Sequence, residues 1–102
     1  MIKGINERNE NGGFIVYIND KILSPKRSQK VRNHSPDGFA WGYGGSGPSQ
    51  LALALLLEFT TQEEAQINYM DFKFEIIANL PKDFELEEKV IINWLKNRRK
   101  YE

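Results

Sequence analysis

Seven consecutive residues, Leu51-Ala52-Leu53-Ala54-Leu55-Leu56-Leu57, carry no polar side chain. All are strong helix formers without branching at Cβ. A helix built from them has no face to offer to water, so it is stable only where the rest of the chain covers it on every side. It is also far too short to cross a bilayer, which takes about 20 residues. In a chain of 102 residues the natural solution is one α+β domain, residues 1–102, with this helix at its centre. Its expected limits are about 48–59. Pro48 suits the first helical position, where a missing N–H is harmless, with Gly47 as N-cap and Gln50 at the third position.

The covering elements come from both sides of the run. Met1 to Ile5 reads as a short strand, and residues 7–13 as a polar connection. Phe14-Ile15-Val16-Tyr17-Ile18 is β-branched and aromatic, a strand. Asn19-Asp20 then forms a two-residue hairpin link into Lys21-Ile22-Leu23, since both residues tolerate positive φ. Residues 24–33 are polar and basic without periodicity and read as an exposed loop. Ser35-Pro36-Asp37-Gly38 suits a type I turn, and Phe39-Ala40-Trp41 a further short strand. After the apolar helix, Thr61-Gln62-Glu63-Glu64 is a capping box. The helix it opens has an inner stripe of Ala65, Tyr69, Phe72 and Ile76, flanked by Met70 and Ile77, and ends at Leu80-Pro81. A last helix from about Glu87 puts Val90, Ile91, Trp94 and Leu95 on one side. The expected architecture is a small antiparallel sheet from the N-terminal half (a hairpin or meander) packed on three helices.

Charge and composition narrow the chemistry. Fourteen basic and fourteen acidic residues cancel, which argues against dedicated nucleic-acid binding. The charge is nevertheless segregated, basic in residues 1–35 and acidic in 58–88, a pattern that steers partners or simply solvates a surface. No cysteine is present, so disulfides, thiolate nucleophiles and cysteine metal sites are excluded, and a reducing, cytoplasmic setting is expected. Neither a secretory signal nor a membrane span is visible. With one histidine, metal ligation is left to carboxylates such as Asp71, Glu75 or the Glu63/Glu64 pair, which read more simply as helix surface. No cofactor and no metal are expected.

The segment 38–47 is the unusual one. Gly42-Tyr43-Gly44-Gly45-Ser46-Gly47 matches G-x-G-x-x-G and runs into a helix N-terminus, where N–H groups and the helix dipole hold anions. Gly42, Tyr43, Gly44, Gly45, Ser46 and Gly47, with Trp41 alongside, are therefore the candidate ligand-binding residues, and Gly45 is the position where positive φ is expected. The surrounding βαβ unit of a dinucleotide site is missing, and a P-loop needs Gly-Lys-Ser/Thr where Gly47-Pro48 stands. The competing explanation is architectural, glycines placed where side chains would clash. Ser46 with His34 and Asp37 also suggests a small hydrolase or transferase, although the nucleophile elbow requires glycine where Pro48 stands. Trp41 and Tyr43 could stack a ring, join an oligomer contact, or, in the case of Trp41, anchor the core.

The run from His34 to Ala54, with GF-x-WGYGGSGP-x-QLALA at its heart, resembles the signature of a small uncharacterised domain family of bacterial, archaeal, plasmid and phage genomes. Phe72-Lys73 and Trp94-Leu95 match its pattern too. That resemblance carries no activity. It implies a prokaryotic or mobile-element setting, where small proteins act by binding host or rival machinery. The leading expectation is a non-catalytic binding module, its recognition surface built around residues 38–47, for a phosphorylated small molecule or a protein surface, as a phage or plasmid accessory or anti-defence factor. The enzyme using His34, Asp37 and Ser46 and a structural or assembly role stand as alternatives.

Overall fold

The computed structural model describes residues 1–10 and 12–99. It is an α+β fold with a four-stranded antiparallel sheet in the order β3-β2-β1-β4 and four helices. The strands are β1 (Ile2–Asn9), β2 (Gly12–Ile18), β3 (Lys21–Ile22) and β4 (Phe84–Leu86); the helices are α1 (Lys26–Val31), α2 (Ser46–Phe59), α3 (Gln62–Glu75) and α4 (Glu88–Arg99). A single 3₁₀ turn, Ile77–Asn79, follows α3.

The central helix is buried as its sequence requires. Every residue from 47 to 57 is buried, and α2 touches α1, α3, the 3₁₀ turn and α4. The same apolar cluster takes in Ile2, Val16, Phe84 and Leu86 of the sheet and Ala65, Phe72, Ile77, Ile91 and Leu95 of the later elements. The helix starts earlier than expected: Gly45 is the N-cap and Pro48 the third helical residue. Proline is tolerated there because that N–H, too, lacks an intrahelical acceptor.

The sheet extends further than the sequence suggested. β1 continues to Asn9 through a register shift between Ile5 and Arg8. The hairpin link is as read, with Asn19 and Asp20 at φ 49° and 68°. The fourth strand comes from the C-terminal half instead of the N-terminal half: β4 pairs Ile2 with Leu86 and Gly4 with Phe84. Three residues are too few to show a period. Gly4 is what lets β4 dock, since a Cβ there would lie 2.0 Å from the Phe84 ring. Trp41 meets that ring edge-on at 4.8 Å, and its Nε1 donates to the carbonyls of Pro81 and Lys82, both at 3.0 Å. Residues 39–41 are thus core but not a strand. Their link to the sheet is one bond, Phe14 N–H to the Phe39 carbonyl at 2.9 Å.

Residues 24–33 are not a loop throughout, because α1 occupies Lys26–Val31. Its polar sequence shows no apolar stripe because it is held by hydrogen bonds. Gln50, wholly buried on α2, accepts at Oε1 from the N–H groups of His34 (2.8 Å) and Ser35 (3.0 Å). Its Nε2 donates to Ser28 Oγ at 2.9 Å and to the Arg32 carbonyl at 3.1 Å. All the hydrogen-bonding capacity of one amide side chain is used. The Thr61 cap on α3 is present, but the helix stops at Glu75, where Asn79 Nδ2 covers the carbonyls of Phe74 and Glu75. The inner face is Ala65, Asn68, Tyr69, Phe72 and Lys73; Met70 faces outward and Ile76 lies past the last turn. On α4, Ile91 and Leu95 are buried and Trp94 packs on Phe72 at 5.1 Å, while Val90 is exposed.

Two stability measurements check this account. Leu53→Ala should cost about 2–5 kcal/mol by denaturant unfolding, with exposed Ile67→Ala within about 0.5 kcal/mol of wild type. Gln50→Leu keeps the volume but strands two N–H donors and a carbonyl, so it should cost about 2–4 kcal/mol and speed amide exchange at His34 and Ser35. A loss below about 1.5 kcal/mol, as for a simple change of shape, would mean that Gln50 does not hold α1.

Candidate anion site at the start of the central helix

The six glycine-segment residues divide by function. Gly42 has φ +83°, donates its N–H to the Ile77 carbonyl at 3.0 Å, and would put a Cβ 3.2 Å from the Leu80 carbonyl. It is a fold position. Gly47 is another: it is buried, and a Cβ would come 2.7 Å from that of Ala40. Gly45 does not have the expected positive φ. It is extended at φ −133°, and its need for glycine is steric, because a Cβ would lie 2.5 Å from the Tyr43 ring. Gly44 faces the edge of Phe74, which a Cβ would approach to 3.1 Å.

What remains open is the first turn of α2. The earliest intrahelical bond runs from Ser49 N–H to the Gly45 carbonyl at 3.0 Å. The N–H groups before it therefore have no intrahelical acceptor. The first turn carries no acidic residue and no side-chain cap, so the positive end of the helix dipole is not neutralised from within. Ser46 is exposed there.

Lys73 is the residue the motif did not reveal. It is one turn beyond Tyr69 on the inner face of α3 and only 5% exposed. Among the described residues its ammonium makes no ion pair and no hydrogen bond; its one close partner is the face of Phe74, 4.1 Å from the ring centroid. Phe74 is the same ring that abuts Gly44, so one ring touches both the Lys73 ammonium and the glycine segment. A buried lysine without a carboxylate is uncommon. The signal was available in sequence, since position 73 falls four residues after Tyr69, beside the stripe already assigned to the core.

His34 belongs to this neighbourhood. Its Nε2 is 2.7 Å from the Tyr69 hydroxyl and its ring lies 5.3 Å from the Tyr69 ring. Burial depresses its pKa below the usual 6.5, and the charges of Arg32 and Lys73 depress it further. The field at His34 is thus positive, as an anion site requires. Beside it runs an exposed apolar stripe, Ile67, Met70 and Phe74 on α3, with Tyr43 next to it on the glycine segment.

The other candidate chemistries are placed elsewhere. His34 is bonded to Tyr69 and Gln50, Asp37 lies against Gly12 and Gly13 at the end of β2, and no hydrogen bond among the described residues joins His34, Asp37 and Ser46. Trp41 is 6% exposed and anchors the core, which leaves ring stacking and surface contact to Tyr43. Asp71 and Glu75 face Arg98 of α4, and Glu75 also accepts from Trp94 Nε1 at 3.4 Å, so these two carboxylates clasp α3 to α4. Among the described residues no helix is long and apolar enough to cross a membrane.

Comparison with known proteins gives one finding. No curated protein and no solved structure matches the chain. A family model described as a family of unknown function, DUF6166, matches residues 5–97, which takes in all but the first residues of the sheet, the glycine segment and Lys73. The chain belongs to that family.

Proposed function

We propose that this protein is a non-catalytic binding module whose site, at the start of α2, holds a phosphate or carboxylate group carried on an apolar or planar body. The observation that carries this reading is Lys73, a lysine only 5% exposed with no ion pair among the described residues, whose ammonium lies on the Phe74 ring that abuts Gly44, just before the uncapped start of α2. An anion there would gain the free N–H groups of the first turn and the Lys73 charge together. The stripe of Tyr43, Phe74, Met70 and Ile67 would take the rest of the ligand, which favours a phosphorylated small molecule over inorganic phosphate. The same stripe supports a second reading, in which the anionic group belongs to a protein partner. A cytoplasmic accessory or anti-defence role in a phage or plasmid setting is part of the proposal; the lack of cysteine and the resemblance of the central signature support it.

His34, the only histidine, reports on the site directly. In anion-free buffer its imidazole resonances should titrate below 6.5. Phosphate, or a nucleotide or sugar phosphate, should move that midpoint upward by offsetting Lys73, and should raise the melting temperature by several degrees near a hundredfold excess over Kd. In Lys73→Met both effects should vanish. A midpoint that ignores every anion tested in the wild-type protein would contradict the proposal.

The same residue sets a pH dependence. Because folding lowers the His34 pKa, the unfolded chain binds the proton first as pH falls. The contribution is therefore intact above 6.5 and lost as pH drops through 6.5 toward the folded value. His34→Gln should flatten stability over this window in urea titrations. An unchanged slope would mean that His34 is not held neutral by the fold.

A further inference from the structure

From Lys21 to Pro36 the chain holds five basic residues, Lys21, Lys26, Arg27, Lys30 and Arg32, and no acidic one. α1 gives four of them a fixed place. Lys26 and Lys30 stand one turn apart, Arg27 lies beside them, and Ser28, on the opposite side of the helix, is buried. Arg32 is the C-cap. All four of these basic residues are exposed, and the Gln50 side chain holds the backbone beneath them through Ser28 and the Arg32 carbonyl. The cations therefore sit on an ordered surface, and binding does not first have to order a loop.

The rest of the chain leaves this face unneutralised. The acidic stretch 58–88 is largely matched from within: Asp71 and Glu75 face Arg98, Glu85 faces Lys3 and Glu87 faces Lys89. Of the four cations on α1 and its cap, only Arg27 forms an ion pair among the described residues, with Glu58 at 3.8 Å. The net charge of zero hides this face, because a sum takes no account of placement. A second copy of the chain would bring its acidic stretch already paired.

Composition selects the kind of anion. A protein interface is built on a buried apolar centre, and a helix on a membrane surface inserts an apolar face. The one apolar residue of α1, Val31, is half-buried against the core and offers neither. Ser24 and Asn33, exposed beside the cations, add hydrogen-bond donors instead. Cations interspersed with small polar groups are the contacts made to a sugar–phosphate backbone. We propose that the α1 face binds the phosphate backbone of a nucleic acid. The proposal uses none of the residues at the start of α2 and stands apart from the reading given there.

The test is fluorescence anisotropy with labelled DNA and RNA duplexes of about 20 base pairs, between about 50 and about 200 mM KCl. Four phosphate contacts give a slope of log K against log salt of about −3.6 on DNA, so affinity should fall about a hundredfold over that range. Lys26→Gln combined with Lys30→Gln removes two contacts, and the fall should shrink to about tenfold. Both side chains are exposed and glutamine is a good helix former, so the fold is not at stake. Lys96→Gln on α4, also exposed, should leave the wild-type salt dependence unchanged. Either duplex binding in this pattern supports the proposal, and the tighter of the two names the nucleic acid. No binding at the lowest salt, or a salt dependence that the double substitution leaves unchanged, would overturn it. Equal or tighter binding of polyglutamate or of phosphatidylserine vesicles through Lys26 and Lys30 would also overturn it, and would assign the face to an acidic protein or a membrane.

Discussion

The burial of α2 on all sides is the constraint from which the rest of the structure follows. A helix with leucine on every face needs partners all round, and the chain supplies them with α1, α3, α4 and a sheet whose inner residues join the same cluster. The geometry leaves almost no room for polarity in the core. Gln50 is the exception, and it is placed so that one amide holds α1 and the turn after it to the helix. Trp41 does the equivalent on the sheet side, where its indole N–H fixes the approach to β4.

A helix that is sealed along its length still has ends. The C-terminal end of α2 runs into the Thr61 cap of α3, but its N-terminal end has no side-chain cap. The glycines around it divide the labour: Gly42 and Gly47 allow the chain to pass, whereas Gly44 and Gly45 bring Phe74 and Tyr43 close to the backbone. The architectural explanation of the motif therefore applies at each of these four glycines.

Much of the fold was legible because the elements carry strong local signals. The all-apolar run, the Asn19-Asp20 link and the Thr61 box each specify one local geometry, and each is found in place. The misses share a cause. α1 is held by Gln50 and buried Ser28, β4 by pairing with the first residues of the chain, and residues 39–41 by packing without a ladder. All three depend on partners distant in sequence, which periodicity cannot report. The site was half legible: the G-x-G-x-x-G pattern marked the helix start, but Lys73 lies 27 residues after Ser46, one turn past Tyr69 and outside the stripe read as core. The positive φ assigned to Gly45 belongs to Gly42, because the sharp bend falls where the chain meets the 3₁₀ turn.

If Lys73 is kept for binding, it is kept against stability, since a lysine only 5% exposed with no ion pair among the described residues gives up hydration that an apolar side chain of similar size does not need. The melting temperature of Lys73→Met in anion-free buffer tests this most directly. The account predicts that the variant melts higher than the wild-type protein. A variant that melts lower would show that Lys73 supports the fold, and that the start of α2 is not the functional end of the molecule.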